Sequence, residues 1–204
     1  MICKVCGIRS RDDVRILNSV RPDMAGFVFH RPSRRYVDPG DALELRGLMD
    51  RSIASVGVFV DDDPRFIADL VGNGTISVVQ LHGSEDAMYI HGLRALTHAP
   101  IVKAFVVEGD DDIREANLSP ADLVMLDAGK GSGRRFDWSL ADGMRRDYIL
   151  SGGLDPTNLQ EALERVRPFG VDVSSGVETD GRKDPSKVSE FLGVVRSFDR
   201  RTSF

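Results

Sequence analysis

The chain is predicted to fold as a (β/α)₈ barrel, a TIM barrel of near-minimal size in which residues 1–204 form a single domain. Three observations carry this. Apolar stretches of strand length alternate eight times with helical patterns, with no linker or shift in composition between them. These stretches are unbroken apolar runs, as expected of parallel strands covered on both faces. Asp-Pro stands at four predicted helix starts, residues 38–39, 63–64, 155–156 and 184–185. An aspartate accepts from the free N–H groups of a first turn, and proline is preset for the first helical position, so a recurring cap marks a recurring strand–loop–helix unit. Eight such units in about 200 residues is the lower size limit of the barrel. The competing architecture is a doubly wound open sheet. It calls for about five or six strands and an early G-x-G-x-x-G, where this chain has only Cys6-Gly7.

The elements follow in order. Residues 2–6 are a buried first strand, broken by Gly7. Ser10 and Asp13 form a capping pair for a helix to about Ser19, with Val14 and Leu17 inward. Residues 24–29 are a second strand, followed by a polar loop, 30–37, with Arg31, Arg34 and Arg35, and by a helix from Asp38-Pro39. Residues 53–60 are the third strand; the helix after it places Phe66, Ile67, Leu70 and Val71 in register. The fourth strand, 76–81, closes with His82-Gly83, and Ser84 begins a helix. Strand five is 101–107, with an acidic helix over 110–117, and strand six is 123–127. The loop 128–135 holds three glycines, and a short helix starts near Asp137-Trp138. Strand seven, 148–150, runs into Ser151-Gly152-Gly153, then Asp155-Pro156 and a helix with Leu159, Ala162, Leu163 and Val166 inward. Strand eight, 171–173, runs into Ser174-Ser175-Gly176, and the last helix presents Val188, Phe191, Leu192 and Val195 on one face.

Composition limits the function. Hydrophobic residues make up 41% and charged residues 29%, ordinary for a soluble globular protein. No apolar run approaches the roughly 20 residues that span a bilayer, and the start of the chain is too quickly charged for a signal peptide, so no membrane association and a cytoplasmic location are expected. A net charge of −5 argues against a nucleic-acid partner. An anionic small molecule stays open, because local donors decide its binding. Cys3 and Cys6 form a C-x-x-C, but no second Cys/His pair completes a zinc site, and the spacing lies within a strand, where redox motifs do not open. Neither a metal, a disulfide nor another cofactor is expected.

The two small-residue turns after strands seven and eight carry the functional reading. Gly-Gly after a strand is ordinarily just a turn. Two such turns, Gly152-Gly153 and Ser174-Ser175-Gly176, one βα unit apart, suit a phosphate, whose oxygens accept backbone N–H bonds. Barrels commonly hold phosphate after these two strands, with their chemistry at the same strand ends. The polar candidates there are Cys6, Arg35, Gln80, His82 and Asp127. Cys6 and Asp127 suit an acid/base pair flanking a sugar. At neutral pH an ordinary thiol is protonated and an ordinary carboxyl ionised, so the thiol would need a nearby cation and the carboxyl burial. Lys4 lies on the same strand face as Cys6, although a lysine there more naturally pairs with a core carboxylate. The plain alternatives are a small buried hydrophobe for Cys6, a loop cap for Asp127 and a structural hydrogen-bonder for His82.

The segments KVCGIR (4–9), GFVF and SRRYV (26–29, 33–37), VGVFVD (56–61), VQLHG (79–83), DAGKGSGRRFDW (127–138), LSGGLDPTN (150–158), VDVSSGVE (171–178) and GRKD (181–184) together resemble the phosphoribosylanthranilate isomerases of tryptophan biosynthesis. The resemblance runs in order over nearly the whole chain. It implies the barrel fold, a catalytic domain, and an Amadori rearrangement of N-(5-phosphoribosyl)anthranilate to 1-(2-carboxyphenylamino)-1-deoxyribulose 5-phosphate with no cofactor or metal. By the family pattern Asp127 is the general acid, Cys6 the general base and Arg35 the residue that holds the anthranilate carboxylate, with Gly152, Gly153, Ser174, Ser175 and Gly176 on the phosphate and Gln80 and His82 in reach of substrate. A monomer or a homodimer would serve. Two departures stand out: Lys130 lies in a loop where the family more often has a G-G-T-G core, and Arg34 stands where proline is common. The alternatives are a related barrel isomerase of the histidine pathway, or a dual-substrate version, and a sugar-phosphate-binding barrel without catalysis. The histidine-pathway pattern ends strand one with aspartate, not Cys6, and a silent barrel has no need of both Cys6 and Asp127.

Overall fold

The computed structural model describes residues 1–129 and 137–202, the last four of these by backbone alone. Eight parallel strands close into a barrel in chain order: β1 (Ile2–Cys6), β2 (Met24–Val28), β3 (Ala54–Phe59), β4 (Val78–Leu81), β5 (Ile101–Val106), β6 (Leu123–Asp127), β7 (Tyr148–Leu150) and β8 (Gly170–Val173). Outside run α1 (Arg11–Val20), α2 (Pro39–Leu48), α3 (Pro64–Gly72), α4 (Ala87–Arg94), α5 (Asp110–Leu118), α6 (Leu159–Val166) and α7 (Pro185–Thr202). The crossover from β6 to β7 contains a 3₁₀ segment, Trp138–Gly143, where the short helix was expected.

The apolar runs become strands because each is buried on both sides. One face points out, where Val5, Phe27, Phe59, Leu81, Leu126 and Leu150 meet the helices. The other points in, where Val56, Val78, Val102, Ala104, Met125 and Ile149 fill the barrel and Cys6, Val28 and Val58 lie together. The helices seal the outer face with the residues predicted for it, including Val14, Leu17, Ile67, Leu70, Val188, Phe191 and Leu192. Ser10 and Asp13 form the expected capping box on α1.

Two helix starts differ from expectation. Residues 84–86 do not begin α4. Glu85 is drawn inward instead, accepting from Asp61 N and Gly83 N (both 2.8 Å) and from Lys103 Nζ (3.0 Å), and Asp86 caps the helix through Tyr89 N. A buried carboxylate with three donors outweighs one more helical turn. Asp155-Pro156 likewise precedes α6 without opening it. Asp155 Oδ1 accepts from Thr157 N (2.8 Å) and Asn158 N (3.2 Å), while Asn158 accepts from Asp155 N and donates to Gly153 O. This reciprocal turn serves the loop before it. A small antiparallel ribbon, β9 (Glu178–Thr179) with β10 (Arg182–Lys183), lies between β8 and α7 and was not anticipated. Its two-residue strands are too short to leave a periodic signal.

Candidate active site

The strand register builds the site. β1 pairs with β8 so that Lys4 and Asp172 are direct partners on neighbouring strands. Both side chains point inward, and Lys4 Nζ meets Asp172 Oδ1 at 2.9 Å. Ser151 Oγ donates to the other carboxylate oxygen at 3.2 Å. The ammonium also lies near Cys6, two residues along the same face, and both Lys4 Nζ and Cys6 Sγ border Gly26. Burial pulls the lysine's pKa down, but Asp172 more than offsets it, and the amine stays protonated. A cation therefore lies beside Cys6, held by the core carboxylate anticipated for it. Cys3 points to the opposite side of β1, into the layer beneath the helices, where burial pushes its thiol far up. The C-x-x-C is thus split between two faces of one strand, and both thiols are free.

The two turns pack as one surface. Gly152 has φ +87°, and a Cβ there would stand 2.5 Å from Ala128 N, so the backbone passes closer to the end of β6 than a side chain permits. A Cβ on Gly176 would strike the Leu154 carbonyl, so the turn after β8 lies directly against the turn after β7. Ser174 Oγ donates to Cys6 O at 3.2 Å, joining this surface to the end of β1.

A cavity of about 610 Å³ opens at these strand ends. Cys6, Arg35, Gln80, His82, Asp127, Gly152, Gly153, Ser174 and Ser175 line it; Gly176, packed against Leu154, lies outside the lining. Asp127 ends β6, 7% exposed, with Oδ1 accepting from Gly129 N at 2.6 Å. Its Oδ2 lies 3.8 Å from His82 Nε2, too far for a hydrogen bond. Burial lowers the His82 pKa against the pull of Asp127, so the imidazole is neutral near pH 7. Its Nδ1 lies 3.1 Å from Gln80 Nε2. Gln80 is 2% exposed, and its Oε1 finds no partner among the described residues. A buried acceptor facing a cavity suits a ligand's donor.

Arg35 reaches the mouth from the loop after β2. The fork assigned to the anthranilate carboxylate is engaged within the protein: Nε and Nη2 meet Glu178 Oε1 and Oε2 at 2.7 and 2.9 Å. Only Nη1 makes no hydrogen bond among the described residues. Lys183 Nζ also donates to Glu178 Oε1 (3.0 Å) and to Ser174 O (2.9 Å). Sequence reasoning placed Ser151 in the turn after strand seven without foreseeing its bond to Asp172, and assigned no role to Asp172, Glu178 or Lys183. The last two stand in VDVSSGVE and GRKD, so the motif signal was there without a partner to give it meaning. Lys130 lies outside the described residues.

Residues 3–194 match the family model described as N-(5'phosphoribosyl)anthranilate (PRA) isomerase. An N-(5'-phosphoribosyl)anthranilate isomerase of Endomicrobium trichonymphae is 42% identical over 199 residues, 95% of this chain and 98% of that protein. The crystal structure of phosphoribosyl anthranilate isomerase from Thermus thermophilus superposes with a TM-score of 0.87 at 31% identity, covering 97% of this chain and 99% of that one. A phosphoribosyl anthranilate isomerase in complex with reduced 1-(o-carboxyphenylamino)-1-deoxyribulose 5-phosphate superposes with a TM-score of 0.84 at 34% identity, over 97% of this chain and all of the other.

Proposed function

The chain belongs to the N-(5'-phosphoribosyl)anthranilate isomerase family, and on that premise we propose how its own residues carry the reaction. The activity is the family's: isomerisation of phosphoribosylanthranilate in tryptophan biosynthesis. The observation that supports the assignment of roles is the convergence of Cys6 and Asp127 on one cavity between two small-residue turns and Arg35.

The phosphate sits on the turns of Gly152-Gly153 and Ser174-Ser175-Gly176, and the anthranilate carboxylate lies toward Arg35, meeting it through Nη1. Anchoring both anionic ends fixes the ribose between acid and base. Asp127 protonates the ring oxygen through Oδ2, the oxygen not used by Gly129. His82 beside it is neutral, so no imidazolium stands next to that oxygen. The ring C1–O bond breaks, its electrons go to the protonated oxygen, and nitrogen's lone pair forms the iminium. Cys6, beside the Lys4 ammonium, removes the C2 proton, now acidified by the iminium, and the resulting enolamine tautomerises to the ketone. Gln80 Oε1 accepts from a sugar hydroxyl. The reaction takes up one proton at oxygen and loses one at carbon, so no cofactor enters its balance.

The test is turnover of freshly generated phosphoribosylanthranilate, read as loss of its fluorescence. Asp127→Asn and Cys6→Ala should each lower kcat by about 10²–10⁴-fold with the fold intact, the span typical of lost general acid or base catalysis. A folded Asp127→Asn protein turning over normally would overturn the assigned acid. Arg35→Ala should raise KM more than it lowers kcat; an unchanged KM would remove the carboxylate contact.

A further inference from the structure

Glu178 lies outside the cavity lining and has no chemical role of its own, yet it joins the two ends of the site. Its Oε1 is shared by Arg35 Nε at 2.7 Å and Lys183 Nζ at 3.0 Å, and Lys183 continues to the carbonyl of Ser174 at 2.9 Å. Three links thus connect the arginine at the carboxylate end to the turn at the phosphate end. The Glu178 side chain is 6% exposed and that of Lys183 1%. Arg35 is fixed from below as well, its stem crossing Gly7 so closely that a Cβ there would strike it. Arg9 braces the same junction, donating from Nη1 to Arg34 O (2.8 Å) and from Nη2 to Gly181 O.

We infer that Glu178 is a positioning residue that couples the two anchors, setting Arg35 and the Ser174 turn at one fixed separation through Lys183. This rests on the assignment of those anchors above. A carboxylate accepting from a guanidinium fork and an ammonium has well-defined geometry, which freely hydrated surface charges lack. Arg34 and Lys187 complete the charged surroundings: Arg34 Nη2 lies 3.4 Å from Glu178 Oε2, and Lys187 donates to the Glu178 carbonyl at 2.8 Å. Two opposed effects follow from neutralising Glu178. The cluster becomes more positive, which by charge alone favours both anionic ends of a ligand. The geometry is released, which disfavours both. Burial already pulls the Lys183 pKa down and Glu178 holds it up, so losing Glu178 lowers it further and frees the ammonium from its place beside the Ser174 carbonyl. The net result is weaker binding at both ends.

The sign and pattern of that change decide the matter. Inhibition constants for anthranilate and for inorganic phosphate, each competing with substrate, are measured on the full-length enzyme and its variants. Glu178→Gln should weaken both probes by about tenfold, within the usual range of coupling between sites. Arg35→Ala should weaken anthranilate and leave phosphate within about twofold. Tighter binding of either probe to Glu178→Gln, or an unchanged phosphate constant, would overturn the coupling. Should Glu178→Gln fold poorly, Lys183→Met breaks the chain one link later, and an unchanged phosphate constant there overturns it equally. Unchanged anthranilate binding in Arg35→Ala would instead remove the anchor assignment, an outcome separable from any result at Glu178.

Discussion

Lys4 is 1% exposed in a barrel interior otherwise filled by Val56, Val102, Met125 and Ile149. A lone ammonium there would cost several kcal/mol and give up its proton. It stays charged because Asp172 is its register partner, fixed by backbone pairing and not by chance of rotamer. Lys4→Met should therefore destabilise the protein by about 3–5 kcal/mol in urea unfolding, leaving Asp172 buried with only Ser151. Adding Asp172→Leu should recover most of that loss. A small effect of Lys4→Met alone would show that water reaches the pair. The lysine and its carboxylate were visible in the chain as types, and the preference of such a lysine for a core carboxylate was read correctly. Its partner was not legible, because 168 residues separate the two and only barrel closure makes them neighbours.

Asp-Pro is a good guide to helix starts because its cap is local chemistry. Asp38, Asp63 and Asp184 each accept from the backbone N–H two residues on, and a proline-led helix follows. Asp63→Ala should cost about 1 kcal/mol and lower Tm by about 2–4 °C in a domain of this size; no change in Tm would mean that water replaces the cap without loss. Asp155 makes the same type of bond to Thr157, yet α6 starts later, at Leu159. There the side chain of Asn158 reaches back to Gly153 and holds the turn after β7. The dipeptide fixes a turn; whether a helix follows at once depends on what the neighbouring backbone needs.

Across the molecule, Glu178 ties the last strand's exit to the second strand's loop, closing the rim where the barrel's first and last strands meet. Burial pushes its carboxyl up, but hydrogen bonds from Arg35 and the charge of Lys183 prevail and hold it at about 2, against an ordinary 4.5. A carboxyl depressed in the folded state contributes its full stability above the unfolded value and loses it as pH falls through the folded one. That contribution should fade between about pH 4.5 and 2. Urea unfolding at stepped pH should fall less steeply over this window for Glu178→Gln than for the unsubstituted protein, and parallel curves would show that the group is not paired in solution.

The sequence by itself determined the strands, the barrel and the strand ends where chemistry gathers. Apolar runs buried on both faces, repeated caps and small-residue turns are local properties, and their eightfold repetition leaves one architecture. It also supplied Cys6, Arg35, Asp127 and the two turns as candidates, because their residue types are unusual at such positions. Tertiary structure alone decided who meets whom: Lys4 with Asp172, Gly176 against Leu154, Arg35 with Glu178 and Lys183. The first and third join segments from opposite ends of the chain and the second joins consecutive units, and no periodicity or propensity reports a distance that only the pairing of neighbouring strands and the closure of β1 on β8 create.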